Sequence, residues 1–235
     1  MLSNAFTKEA FDEAMFILST EIPLAVWETV YVTILSTLFA IIIGLPLGVL
    51  LVVGEKNGIL PLPNVFMRIL GGFINLLRSI PFLILMILVF PLTRAIVGTT
   101  VGTVASIVPL VIAAFPFIAR LVESSLRELD PNIIEAARSM GASPFQIIVK
   151  VMIPESIPSL ISNATIAITT ILGYSAMSGI IGGGGLGKIA ITYGYYRYKY
   201  LVMVVAVVLL VIIVEIFQRI GTKFAIKSDK RLKNQ

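Results

Sequence analysis

Three stretches of this chain contain no charged side chain: residues 29–54, 95–119 and 156–187, which are 26, 25 and 32 residues long. As helices, each exceeds the ~20 residues needed to cross a hydrocarbon layer about 30 Å thick. Two shorter charge-free runs, 79–93 and 200–214, reach 15 residues each. They lengthen once Arg78 and Arg219 snorkel their charges to an interface. The pattern predicts an all-α integral membrane protein, one domain over 1–235, with five spans near 27–53, 74–93, 101–121, 156–180 and 199–219. The lead-in to the second span, 65–77, also fits a short helix lying at the membrane surface.

Composition agrees. Hydrophobic residues make up 57% of the 235 and charged residues only 13%, with a mean hydropathy of +1.00. A soluble domain of this size needs more charge to cover its surface. There is no cysteine and no histidine. Disulfides, thiol chemistry, imidazole bases and the commonest metal ligands are therefore excluded together. No nucleophile and base stand in a recognisable pairing, so no catalytic group, no metal and no cofactor is expected. The opening MLSNAFTKEAFDEAMF carries Lys8, Glu9, Asp12 and Glu13. It lacks the basic start and small-residue cleavage site of a signal peptide and is expected to stay on the mature chain.

Five spans put the termini on opposite sides, and the basic residues choose the orientation. With the C-terminus inside, Lys56, Arg68, Arg78, Arg120, Arg127, Arg138, Lys150, Arg219, Lys223, Lys227, Lys230, Arg231 and Lys233 are cytoplasmic. Lys8, Arg94, Lys188, Arg197 and Lys199 are outside. Thirteen against five is a positive-inside bias, so the N-terminus is expected outside and the 122–155 loop inside.

That loop is the one substantial polar segment between spans. Asp130 suits an N-cap, Pro131 the first helical position and Gly141 the stop. The helix between them spans about ten residues, or roughly 15 Å. Ile133, Ala137 and Met140 share one face, with Glu135 and Arg138 elsewhere. Ser143 and Pro144 restart a helix expected to break at Pro154. On geometry alone, a docking element and an amphipathic helix resting on lipid are both open.

The residues EAARSMGASPFQIIVKVMIP carry a resemblance. Glu135, Ala136 and Ala137, then Gly141 four positions on, Val151 after nine more, and the pair Ile153-Pro154 resemble the signature loop of ATP-binding-cassette importer permeases. Val151 and Ile153 stand in for the commoner Ile and Leu. Further stretches, RSIPFLILMILVFPLTRAIVGTT, PLVIAAFPFIARLVESSL and GYSAMSGIIGGGGLGKIAITYGY, resemble the methionine importer permeases, so the likeness covers nearly the whole chain. The resemblance implies a type I importer permease with a cytoplasmic coupling helix, formed around Glu135, Ala136, Ala137, Met140, Gly141 and Pro154. It implies a homodimer in the inner membrane, a separate cytoplasmic ATPase, an external substrate-binding lipoprotein and a small amino acid as cargo. Permeases for another small nutrient and, in another class, a stand-alone secondary transporter are the rival readings. The paired broken helices of many secondary transporters are not evident.

Several motifs invite other functions. Gly182–Gly187 with Lys188 nearly matches a phosphate-binding loop, and its glycines also fit a dinucleotide fingerprint. Yet Ile189 stands where a Ser or Thr would hold magnesium, and a membrane helix precedes the loop instead of a strand. A re-entrant turn packed between spans is the better reading. YGYYRYKY, at 193–200, has the look of a single-stranded nucleic-acid patch but sits where an aromatic belt belongs, so no nucleic acid is expected. Glu215, with Arg219 one turn on, reads as an ion pair near an interface. Asn163, Thr170, Tyr174 and Ser178, with Met177 beside them, form a polar stripe on the fourth span. They could line a translocation path or simply bind helices together, and spacing does not separate the two.

Overall fold

The computed structural model describes Asp12, residues 15–17 and residues 19–229. Lys8, Lys230, Arg231 and Lys233, used in the orientation argument, lie outside the described residues. Among the described residues the chain is predominantly α-helical, with short 3-10 and π turns and no strand. The first helices are α1 (Ile22–Val53), α2 (Asn64–Ser79), α3 (Phe82–Leu88), α4 (Phe90–Val97) and α5 (Ile107–Arg127). Then come α6 (Pro131–Ser139) and α7 (Pro144–Ile147), which passes through a π turn at Ile148–Met152 into α8 (Ile153–Ser178). A glycine-rich turn leads to α9 (Gly185–Ile189), and a second π turn, Ala190–Tyr196, precedes α10 (Tyr200–Ser228).

Four helical runs among the described residues are long and apolar enough to cross a membrane: α1, α5, the continuous run Pro144–Ile181, and α10. α2 and α3 taken together as one broken span would make a fifth. The segment expected to cross as 74–93 is therefore not one helix. Pro81 has no N–H to give and crowds the residue before it, so Ile80 is extended (φ −81°, ψ 126°) and α2 stops at Ser79. The expected span at 101–121 begins later, because residues 99–106 are turns and α5 starts at Ile107.

Pro154 was expected to break the helix after Ser143, and it does not. The π turn at Ile148–Met152 shifts the hydrogen-bond register, so that the Ile153 amide reaches back to the Ile148 carbonyl. Pro154 follows directly on that shifted register, and the helical run continues through it into α8. Exposed apolar strips confirm the solvent. On α2, Val65, Ile69, Phe73 and Leu76 lie outward, and on α10 Val204, Val207, Val208, Val211 and Ile212 do the same. Surfaces of that extent suit lipid or another membrane helix and would be an aggregation hazard in water.

The chain divides into two compact units, each built partly from the long helices. One comprises Phe82–Val111, Ile168–Phe217 and the described part of Met1–Thr37. Its core gathers Ile22 and Ala25 of α1, Leu172 of α8, Leu186 and Ile189 of α9, and Val202, Ala206 and Ile213 of α10. Thr29, Thr33 and Thr37 are buried polar residues in α1. Each donates its hydroxyl to the carbonyl four residues back, at 2.7–2.8 Å. The three threonine hydroxyls are thereby satisfied inside their own helix, as a water-free environment favours, while the buried Ser36 hydroxyl on the same helix has no partner among the described residues.

The other unit comprises Leu38–Pro81, Ile112–Ala167 and the described part of Gln218–Gln235. Here α1 and α5 touch through glycine. A Cβ on Gly44 would sit 2.8 Å from the Phe115 carbonyl oxygen, and one on Gly48 would sit 2.5 Å from that of Ala119. Any larger residue at this small-xxx-small pair would force the two helices apart. Leu51, Ile74 and Ala119 form a further buried cluster with Leu47, Met67 and Leu70 against it, which seats α2.

Candidate functional site

The loop with the signature residues folds as the sequence dictates. The Asp130 carboxylate accepts from the Asn132 amide at 2.9 Å, and Pro131 occupies the first turn of α6. Gly141 stops the helix with φ +76°. Its amide donates to the Arg138 carbonyl at 2.9 Å, and the Ala142 amide donates to that of Ala137 at 3.1 Å. A capping box follows at once: the Gln146 amide donates to the Ser143 hydroxyl at 3.3 Å, and the Ser143 amide to the Gln146 side chain at 2.9 Å. The two helices are thus joined by a turn with almost no free residue. A short stiff rod of this kind transmits a push as a rigid body.

The rod is moored to its own unit. Ala137 is buried at 3% exposure, with Ile133 and Ile134 half-buried beside it. Arg138 donates to the Gly58 carbonyl at 3.1 Å. The loop that carries Gly58 is itself tied down, since Glu55 accepts from Arg127 at 2.6 Å. Arg127 also pairs with Glu123 at 2.8 Å, and Glu123 pairs with Arg120 at 2.6 Å. Arg120 reaches the Asn75 side chain of α2 at 2.8 Å. A cleft of about 510 Å³ lies along α6, lined by Val52, Glu55, Ile59, Ile134, Glu135 and Met152 among others.

The six residues expected to form the coupling element therefore divide. Glu135, Ala136, Met140 and Gly141 face outward, and Met140 is 81% exposed. Ala137 faces inward and Pro154 lies within the helical run, half-buried. The shared apolar face expected of Ile133, Ala137 and Met140 is split, with Ala137 turned to the protein and Met140 to the surroundings.

The polar stripe on α8 divides as well. Asn163 donates to the Leu121 carbonyl at 3.2 Å and to the Ser125 hydroxyl at 2.8 Å, which makes it a tie between α8 and α5. Ser178 is 2% exposed and donates to the Ser175 carbonyl at 2.7 Å. Thr170 is half-buried and engaged within the protein. Tyr174 stacks its ring on Phe82, with centroids 4.5 Å apart and planes 4° from parallel. Met177 is 46% exposed, on the side of α8 that also presents Gly173 and Ile166. Met177 is the one exposed member of the stripe, Asn163, Thr170 and Tyr174 being half-buried and Ser178 buried.

The glycine-rich turn is filled from within. The Gly185 amide donates to the Glu28 carboxylate at 2.7 Å and the Leu186 amide to the Thr29 hydroxyl at 2.9 Å. A phosphate would need those amides, so the structure supplies the reason that the loop is not a nucleotide site. Glu28 borders the first charge-free run, and an acid at that depth is the signal that could have found it. Downstream, Tyr195, Tyr196, Tyr198 and Tyr200 are exposed, in keeping with an interfacial belt. Tyr193 instead donates to the Glu21 carboxylate, and that bond, with burial, raises its pKa above the usual phenol value.

Comparison with known proteins places this geometry. Residues 44–223 match the model of the family described as binding-protein-dependent transport system inner membrane component. The chain is 46% identical over 208 residues to the probable D-methionine transport system permease protein MetI of Vibrio cholerae, covering 88% of this chain and 92% of that protein. It is 49% identical over 154 residues to the D-methionine transport system permease protein MetI of Escherichia coli K12, covering 66% and 70%. Among solved structures, a chain of the inward-facing MetNI methionine ABC transporter superposes with a TM-score of 0.87. That chain is 45% identical, and the match covers 92% of this chain and 98% of it.

Proposed function

The chain belongs to the family of binding-protein-dependent transport system inner membrane components, and on that premise we propose that it is the permease subunit of an ATP-driven methionine importer. The carrying observation is the match along nearly the full length to a chain of the MetNI methionine ABC transporter, at 45% identity. Two copies of the chain form the membrane path. ATP hydrolysis belongs to a separate cytoplasmic ATPase, and a substrate-binding protein on the outer side delivers the amino acid. The chain itself is not an enzyme.

Within that reading α6 is the coupling helix, presenting Glu135, Ala136, Met140 and Gly141 to the ATPase. Ala137 and the Arg138–Gly58 bond carry its motion into the permease. Tyr174 and Met177 face the path. Deleting the chain is expected to abolish high-affinity methionine uptake while uptake of other amino acids stays near normal. Unchanged methionine accumulation with collapse of another solute's uptake would reject the substrate.

The N-terminus lies outside and the C-terminus in the cytoplasm. Setting aside Lys8, Lys230, Arg231 and Lys233 leaves ten cytoplasmic basic residues against four, so the described residues alone keep the bias. A reporter active only in the cytoplasm is expected to work after Gln235 and fail before Met1. Activity at both ends would mean an even number of spans.

A further inference from the structure

We propose that Glu28 is a positioning residue for transport: its carboxylate clamps the glycine-rich turn and thereby fixes the end of α8 that carries Met177. The inference rests on the permease reading for its functional half only. Glu28 is half-buried on α1. One carboxylate oxygen accepts from the Thr103 hydroxyl at 2.8 Å and the other from the Gly185 amide at 2.7 Å. The neighbouring Thr29 hydroxyl accepts from the Leu186 amide at 2.9 Å while donating to the Ala25 carbonyl at 2.8 Å. Two adjacent side chains of one helix thus hold the 99–106 turn and the start of α9 together. Bonds to an ionised carboxylate are the stronger kind, so this clamp is stiff.

The clamped turn has little slack towards α8. The Gly183 amide donates to the Ser178 carbonyl at 2.9 Å, and the Gly102 amide donates to that of Gly182 at 2.8 Å. A Cβ on Gly187 would run into the backbone of Ala176, and one on Gly179 would lie 2.5 Å from the Lys188 nitrogen. Gly185 holds φ +76°, a conformation that returns the chain sharply. Whatever displaces Gly185 from Glu28 must therefore move residues 176–179, where the path-facing Met177 sits. None of the ion pairs among the described residues involves Glu28, so its charge is committed to Thr103 and to this loop.

The test uses the full chain assembled with its ATPase in lipid nanodiscs, as wild type, Glu28→Ala and Glu28→Gln. Amide hydrogen exchange is read along the chain, and uptake is read in vesicles. A separate set carries Met177→Cys, the only thiol in the chain, for labelling from water. In Glu28→Ala the Gly185 amide loses its acceptor, and exchange over 99–106 and 182–190 is expected to rise at least ~10-fold. Exchange elsewhere should stay unchanged. Labelling at position 177 should rise several-fold and uptake should fall about 10-fold or more. Glutamine keeps an oxygen for Gly185 and an amide group for the Thr103 hydroxyl, so it should restore exchange and uptake to within about three-fold. Unchanged exchange in Glu28→Ala, or a rise spread evenly over the chain, overturns the clamp. Raised local exchange with uptake within about two-fold of wild type overturns the positioning role. If the wild type fails to take up methionine, the substrate reading falls, and exchange and labelling still decide whether the clamp exists.

Discussion

Gly141→Val is expected to cut transport-stimulated ATP hydrolysis and uptake by at least ~10-fold while membrane levels of the chain stay normal. Gly141 has φ +76°, and a Cβ placed there meets nothing within 4 Å. The substitution therefore acts through the backbone alone. A β-branched residue resists that conformation by about 1–2 kcal/mol or more, and the turn escapes by changing course. Because the Ser143 capping box begins two residues later, any new course alters the angle between α6 and α7. Gly141→Asn, which tolerates the left-handed region, should retain most of the activity.

Ala137→Asp reaches the same outcome by another route. Ala137 is buried within its own chain, so a carboxylate there would lift α6 from its mooring instead of fouling the partner surface. An unpaired charge in that position costs on the order of a few kcal/mol. Co-purification with the ATPase and its hydrolysis rate in vesicles are the measurements. If Gly141→Val and Ala137→Asp both bind and transport normally, α6 is not the coupling element.

Much of this was legible in the sequence because the bilayer leaves a chain few options. Charge-free runs name the long helices, and Asp130, Pro131, Gly141, Ser143 and Pro144 name both ends of α6 and the start of α7 almost to the residue. Three kinds of feature escape. Prolines are the first: the span expected at 74–93 runs straight through Pro81, which breaks it, and the break expected at Pro154 is absorbed by a π turn that no local propensity announces. Side-chain direction is the second. Periodicity put Ile133, Ala137 and Met140 on one face and Asn163, Thr170, Tyr174 and Ser178 in one stripe. Only the packing of α6 and α8 decides which members turn inward. Partnerships across long separations, such as Glu28 with Gly185 or Glu55 with Arg127, have no periodic trace at all.

The most direct test of the account is methionine accumulation by vesicles holding the purified chain, with and without its ATPase and substrate-binding protein. A path with no catalytic group of its own should be silent alone. It should accumulate methionine only when ATPase, ATP and binding protein are all supplied, because uphill movement needs a conformational cycle driven from outside this chain. Removal of ATP should return accumulation to the level of empty vesicles. Concentrative uptake by the chain alone would contradict the account, and so would full assembly with ATP that moves a different solute and leaves methionine untouched.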